Sequence, residues 1–226
     1  MAENRYDLEA ALRLRSQVFN VELGVKRSEF QDSYDTRSKH LIVEHCDTRE
    51  TVGTYRLNTS ETVGSAAYFY SAREFTLENL PGEIINNGVE IGRACISKEY
   101  RNTKVLFLLW SGLLRYLEDN KKSYFFGCCS LFTRDEALGA GVYRKLEIEG
   151  HLHPDIRVFP RRNAVNVNTE TSGNPELPPL FNMYLRLGAK VCGPPMIDDE
   201  FGTIDFFVLL DVRNMSKKYR RMFSAA

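Results

Sequence analysis

Residues 88–131 read GVEIGRACISKEYRNTKVLFLLWSGLLRYLEDNKKSYFFGCCSL, a strand, a long helix and a second strand in succession. The first strand candidate is apolar apart from Glu90 and Arg93. The helix carries a stripe of Val105, Leu106, Leu109, Trp110, Leu113, Leu114 and Leu117, with Thr103 placed to cap it and Asn120, Lys121 and Lys122 to end it. Phe107 and Leu108 fall outside that stripe, so the helix is buried on more than one side or lines an apolar cavity. The second strand, 124–131, holds the adjacent Cys128 and Cys129. An ionisable pair inside an apolar strand is expensive to bury. Such a pair serves either an ion-pair scaffold or an active site, and the residues alone leave both open.

Outward from this unit, Leu8, Ala11, Leu12, Arg15, Val18 and Phe19 follow helical spacing, which predicts an amphipathic helix over 7–22 stopped by Gly24. HLIVEHC (40–46) and TVGTYRLN (51–58) read as a hairpin around the turn 47–50. Residues 59–87 are loop-rich, 134–149 are helical and charged, and 180–187 form a short helix closed by Gly188. A buried terminal strand, 205–212, precedes the basic tail RNMSKKYRR. Strands alternating with helices, with antiparallel hairpins at both ends, predict an α/β fold with a mixed sheet. No repeat or linker interrupts the chain, so residues 1–226 are expected to form one domain.

With 226 residues, 43% of them hydrophobic, the chain can build a sizeable core. Its formal net charge of zero argues against a global polyanion-binding surface, and no nucleic-acid motif is present. No apolar run is long enough to span a membrane, and MAENRYDLEA is too acidic for a secretory signal. The five cysteines show no CxxC spacing, which predicts reduced thiols in a cytoplasmic protein; peripheral contact with the inner face of the membrane stays open. Cys128 and Cys129 read as small apolar strand residues. The four histidines lack HExxH spacing, and neither GxSxG nor a P-loop occurs, so no metal or bound cofactor is expected.

Glu90 and Arg93 are three residues apart and would face opposite sides of a regular strand; a bulge at Gly92 would bring them to the same side. Arg15 lies on the apolar stripe of the first helix, where an arginine commonly snorkels at the core edge. Asp32 and Asp35 frame QDSYD, which reads as a turn stabilised by aspartate side chains. From 98 to 122, six basic residues stand against three acidic ones, a patch suited to an acidic partner.

Several stretches together resemble one family: LRLRSQVFNVELG (12–24), QDSYD (31–35), VGTYRL (52–57), FYSAREF (69–75), VEIGRACIS (89–97) and VLFLLWSGLLRYL (105–117). YFFGCCSL (124–131), PPLFNMYLRLGAKVCGPPMIDDEF (178–201) and DFFVLLD (205–211) complete the match. The set resembles the acyl-carrier-protein-dependent N-acyltransferases of the Gcn5-related (GNAT) superfamily. These include the makers of lyso-ornithine and lyso-glycine lipids and the N-acyl amino acid synthases, with acyl-homoserine lactone synthases more distant.

The resemblance implies a GNAT-like mixed sheet, flanked by helices and splayed between its fourth and fifth strands. The family's first strand is missing or replaced, because Tyr6 leads almost directly into helix. It also implies a set of roles. Glu90, with Arg93, would take the proton of the acceptor ammonium. Asp32 and Asp35 would attract that cation, while Arg15 or Arg56 orients them or binds the acceptor carboxylate, with Phe19 in the same cluster. Main-chain N–H groups near Cys95 and Ile96 would hold the thioester carbonyl.

CoA-dependent relatives use a glycine-rich loop before the long helix, but YRNTKVLF (100–107) has no glycine. Arg101 and Lys104, with Val105, can still hold the single phosphate of a phosphopantetheine arm, so acyl carrier protein is the expected donor and acyl-CoA the other option. Phe107, Leu108 and Trp110 are candidate walls of the acyl channel, with a core role equally open. Val25 stands where a homoserine-lactone synthase has tryptophan, which implies a different acceptor. The expected reaction moves a long 3-hydroxylated acyl chain onto the α-amine of an amino acid, ornithine or glycine. Rivals are an acyl-homoserine lactone synthase, an acetyl-CoA-dependent N-acetyltransferase and a non-catalytic acyl-carrier or lipid-binding protein.

Overall fold

The strand that carries Glu90 pairs with its parallel neighbour for three residues and then leaves it, and this opening organises the fold. The computed structural model describes residues 1–25, 31–101, 103–170 and 176–223. In chain order, α1 (Arg5–Arg15) precedes the hairpin β1 (Lys39–Glu44) and β2 (Thr51–Thr59), followed by the short α2 (Ser60–Val63) and α3 (Gly82–Asn86). The central unit is β3 (Gly88–Ile96), α4 (Thr103–Asp119) and β4 (Tyr124–Leu131). Then come α5 (Glu136–Ile148), α6 (Pro179–Leu187), β5 (Lys190–Val191), β6 (Met196–Asp198), β7 (Thr203–Asp211) and α7 (Lys217–Phe223).

The seven strands form one mixed sheet in the order β1-β2-β3-β4-β7-β5, with β6 also on β7. Every pairing is antiparallel except β3 with β4, where Gly88–Glu90 lie against Tyr124–Phe126. Gly127 follows this contact because a Cβ there would come within 2.3 Å of the Ile91 carbonyl oxygen. Beyond that point the strands diverge. No strand precedes α1, so the expected split falls between the third and fourth strands of this chain. Beside β1, where a leading strand was expected to be missing or replaced, Ala2 N–H donates to the His40 carbonyl at 2.7 Å.

On one face, α4 packs on the hairpin and central strands, with Leu109, Trp110 and Leu113 fully buried. Each such side chain contributes about 1.5–3 kcal/mol by leaving water. The α5 and α6 helices share this core, and Gly188 (φ +102°) closes α6 as expected. The side chain of Thr103, the expected cap of α4, lies outside the described residues. The other face is covered by residues 63–84, where Phe69, Phe75, Leu77 and Ile84 pack on Phe126 and Phe207.

Three local readings change. The first helix is regular only to Arg15 and continues to Glu22 in wider, π-type turns. The loop-rich stretch 59–87 is built from short helices that supply a core of their own, which lacked the long period that marks a helix in sequence. The basic tail folds back as α7, because Phe223 finds the rings of Trp110 and Phe107 at 5.9 and 5.7 Å.

Candidate active site

The bulge foreseen between Glu90 and Arg93 is present. Thr54 pairs with Cys95 and Arg56 with Gly92, so β3 carries one extra residue against β2. The left-handed residue is Arg93 (φ +52°), not the glycine beside it. A non-glycine residue there costs on the order of 1–3 kcal/mol unless its surroundings hold it. Asp32 Oδ2 accepts from the Arg93 guanidinium at 3.0 Å, and the rings of Tyr70 and Phe201 flank it at 4.7 and 4.5 Å.

Asp32 and Asp35 are already engaged. Asp32 accepts from Arg56 at 2.6 and 2.8 Å, and Asp35 from Arg15 at 2.7 Å and Arg56 at 3.2 Å. Arg15 is wholly buried and also meets His40 Nδ1 at 2.8 Å. Burial opposes the charge on both aspartates, but the arginines overcome it and hold both carboxyls below the usual range. Burial, and then Arg15, push the His40 pKa down, so its Nδ1 accepts while Nε2–H donates to the Asp35 carbonyl at 3.1 Å. The two aspartates therefore aim arginines.

Glu90 takes four hydrogen bonds. Ser71 N–H and Oγ–H donate to Oε1 at 2.7 and 2.8 Å, while Tyr70 N–H and Asn58 Nδ2–H donate to Oε2 at 3.1 and 3.2 Å. The carboxylate thus pins the turn 70–73 to β3.

A cavity of about 630 Å³ passes through the open part of the sheet. Its apolar side includes Tyr55, Leu106, Leu109, Phe181 and Tyr184, and the hydroxyls of Tyr55 and Tyr184 bond to each other at 2.8 Å. Its polar side includes Tyr70, Ser71, Glu90, Arg93 and Asp205.

Of the residues singled out in the sequence, Phe19, Arg56, Glu90, Arg93, Cys95, Ile96 and Arg101 line this cavity. Asp32 and Asp35 stand one layer behind, gripping Arg56 and Arg93, and Arg15 stands behind them on Asp35. Val105 is buried against Gly53, and Lys104 is exposed on the first turn of α4. The candidate channel residues lie elsewhere: Phe107 packs on Phe223, Leu108 is exposed, and Trp110 borders a separate void of about 20 Å³. On α4 the cavity is lined by Leu106 and Leu109 instead. Helical spacing marked the buried face without showing which part of it meets a gap.

Sequence reasoning gave no role to Tyr70, Ser71, Glu74 or Asp205, and it read Cys128 as a small apolar strand residue. Glu74 and Asp205 carried a usable signal, because each is a carboxylate set among apolar neighbours in FYSAREF and DFFVLLD. Cys128 is not simply apolar: its Sγ–H donates to Glu74 Oε2 at 3.0 Å. Burial, then the Glu74 charge, hold that thiol protonated, which leaves it a poor nucleophile.

Residues 14–111 match the family model described as the acetyltransferase (GNAT) domain. The L-ornithine N(alpha)-acyltransferase of Brucella abortus (strain 2308) is 31% identical over 250 residues, an alignment covering 100% of this chain and 88% of that relative. The chain belongs to the GNAT family. Within it, the chain is an N-acyltransferase. A second L-ornithine N(alpha)-acyltransferase, from Agrobacterium fabrum (strain C58 / ATCC 33970), is 29% identical across 97% of this chain and 82% of its own length. Among solved structures, the acyl-homoserine lactone synthase BjaI, described as CoA-dependent and bound to SAM and isopentyl-CoA, superposes with a TM-score of 0.54 at 13% identity. That alignment covers 98% of this chain and 82% of BjaI. At that identity the likeness concerns the GNAT fold alone.

Proposed function

We propose that this GNAT protein transfers a long-chain acyl group from the phosphopantetheine of acyl carrier protein to the α-amine of ornithine. The amine nitrogen attacks the thioester carbonyl, a C–N bond forms, the C–S bond breaks, and the amine proton is lost as the thiol departs protonated. The observation that carries this reading is the cavity through the split sheet, apolar on the α4 side and charged on the other. Such a cavity lets an acyl chain and a zwitterion meet from opposite faces. The relatives named for ornithine acylation support ornithine as the acceptor.

Glu90 takes the amine proton. Its contact with Asn58, the longest of the four at 3.2 Å, is the one the acceptor replaces. Arg93, presented by the bulge, receives the acceptor carboxylate. Ser97 N–H donates to the Val52 carbonyl at 2.9 Å on β2, so strand alternation turns Ile96 N–H toward the open edge. There it meets the thioester oxygen as charge develops. The Tyr55–Tyr184 hydroxyl pair offers a partner to a 3-hydroxyl on the acyl chain.

For the donor, Arg101 and Lys104 flank the glycine-free turn into α4. Arg101 Nε–H donates to the Ile96 carbonyl at 3.1 Å, which keeps that cation at the cavity mouth. The site suits a single phosphate. No helix among the described residues is long and apolar enough to cross a membrane.

The test is mass spectrometry of lipids from cells expressing the chain, followed by kinetics with purified donors. Expected are an N-acyl-ornithine mass and higher kcat/KM with acyl carrier protein than with the matching acyl-CoA, weakening as salt rises. An acyl-homoserine lactone, or an acetylated product made from acetyl-CoA, would replace this reading. Equal efficiency with both donors would remove the carrier protein from it.

A further inference from the structure

The polar side of the cavity ends at Asp205, a carboxylate left without a basic partner among the described contacts, with the Glu74 carboxylate beside it and outside the cavity lining. Glu74, Cys128 and Asp205, from three different segments, bring ligand atoms within 4.8 Å of one another. Glu74 is 3% exposed and Asp205 4%. Asp205 lines the cavity, yet its Oδ1 has no hydrogen-bond partner; Thr203 Oγ1, on the same strand and cavity, has none either. The adjacent arginines pair with other carboxylates, Arg93 through one nitrogen with Asp32 and Arg73 with Glu200. Buried carboxylates left like this either hold a proton or wait for a cation. Burial, then the Asp205 charge, push the Glu74 carboxyl up to about 8, and burial raises Asp205 as well.

We infer that this cluster seats the side-chain ammonium of the acceptor and thereby selects a basic amino acid over a neutral one. The inference rests on the ornithine reading above and names the part of the site that reads the side chain. Two features favour an ammonium over a metal ion. An ammonium presents three donors, and Asp205 Oδ1, Thr203 Oγ1 and the Glu74 carboxylate are three acceptors. The Tyr70 phenol lies between Glu74 and Arg93 and interacts with both, so the carboxylate-binding arginine and the acidic cluster are one ring apart. An amino acid with a short cationic arm spans that separation.

Charge balance gives the site a pH signature. The ammonium enters as the proton held by the carboxylates leaves, so the KM for ornithine rises as pH falls below about 8. The other groups facing the cluster are Tyr70, Cys128, Ser130, Thr203 and Asp198, with Arg93 beyond the phenol.

The test compares L-ornithine with L-norvaline, its analogue without the terminal amine, on the wild type, Asp205→Asn and Glu74→Gln. The wild type is expected to favour ornithine by roughly 10²-fold or more in kcat/KM. Both variants are expected to bring that ratio toward unity, chiefly through the KM for ornithine. If the variants lose activity on both acceptors alike, the cluster serves the chemistry or the fold, and the inference is overturned. It is equally overturned if the ratio is unchanged. Should both variants fail to fold, the wild type decides: ornithine must raise its melting temperature more than norvaline does at matched concentration. Stabilisation by zinc or magnesium chloride without that difference would make this a metal site and end the proposal. A wild type that acylates no ornithine at all would instead sink the functional reading beneath it.

Discussion

Glu90 Oε1 accepts both the backbone N–H and the hydroxyl of Ser71, at 2.7 and 2.8 Å, so the proposed base is also the anchor of the segment that walls the acceptor side. In Glu90→Gln the new amide must face either the Ser71 N–H or the Tyr70 N–H, two donors that cannot reverse. The variant is expected to lose about 1–3 kcal/mol of stability for that mismatch. It should also lose roughly 10²–10⁴-fold in kcat for the missing base. Urea titration and turnover measured well below the melting temperature separate the two losses. A stable variant with wild-type turnover would remove Glu90 from both roles.

Asp32 and Asp35 differ in depth, and their substitutions should differ in kind. Both side chains of the Asp35–Arg15 pair are at 0% exposure, so Asp35→Asn leaves buried arginine charge uncompensated and should cost about 3–5 kcal/mol. Asp32, at 12% side-chain exposure, holds Arg93 at the cavity. Asp32→Asn should cost less stability and raise the acceptor KM several-fold, because Arg93 loses the contact that fixes its left-handed backbone and its aim. Equal destabilisation with unchanged KM would make both residues scaffold.

The strand–helix–strand unit was legible in residues 88–131 because its patterns are local, and the spacing of Glu90 and Arg93 pointed to a bulge at Gly92, whereas the split of the sheet came from the family resemblance. The roles within the ionic cluster were not legible. Whether Asp32 receives an ammonium or an arginine depends on contacts across 24 and 61 residues of chain, which no spacing reports. The same limit hid the cavity lining: the stripe on α4 predicts burial, while the choice of Leu109 over Trp110 depends on where β3 leaves β4. The segment 63–84 was hardest to read, since 3-10 turns bury residues without a sustained period.

The acyl pocket can be tested by filling it. Leu106→Trp and Leu109→Trp add volume inside the cavity and should shift the preferred donor toward shorter chains, read as kcat/KM across a series of acyl carrier proteins. Trp110→Ala removes a fully buried ring outside that cavity. It should cost about 3–5 kcal/mol while leaving the chain-length optimum in place. An optimum that moves with Trp110 and not with the leucines would relocate the channel to the smaller void.

Glu74 should leave its mark on stability as well as on binding. Its carboxyl titrates near 8 in the folded chain, raised mainly by burial, against an ordinary value of 4.5. Between those values the folded state holds a proton that the unfolded state has released, so the stability this group contributes is full below pH 4.5 and is lost as pH rises toward 8. Two neighbouring sets act in the opposite sense. Asp32 and Asp35 are depressed, so their contribution is lost only as pH falls through the acid range. His40 is depressed too, so stability falls as the unfolded state begins to protonate below pH 6.5. Melting temperatures of wild type and Glu74→Gln across this range isolate the first effect, because the other groups are common to both. The variant is expected to be the more alkali-resistant protein, gaining several degrees on the wild type between pH 5 and 8. A difference that stays constant over that range would mean that Glu74 is ionised in the fold, and the acidic cluster would then need a resident cation from elsewhere.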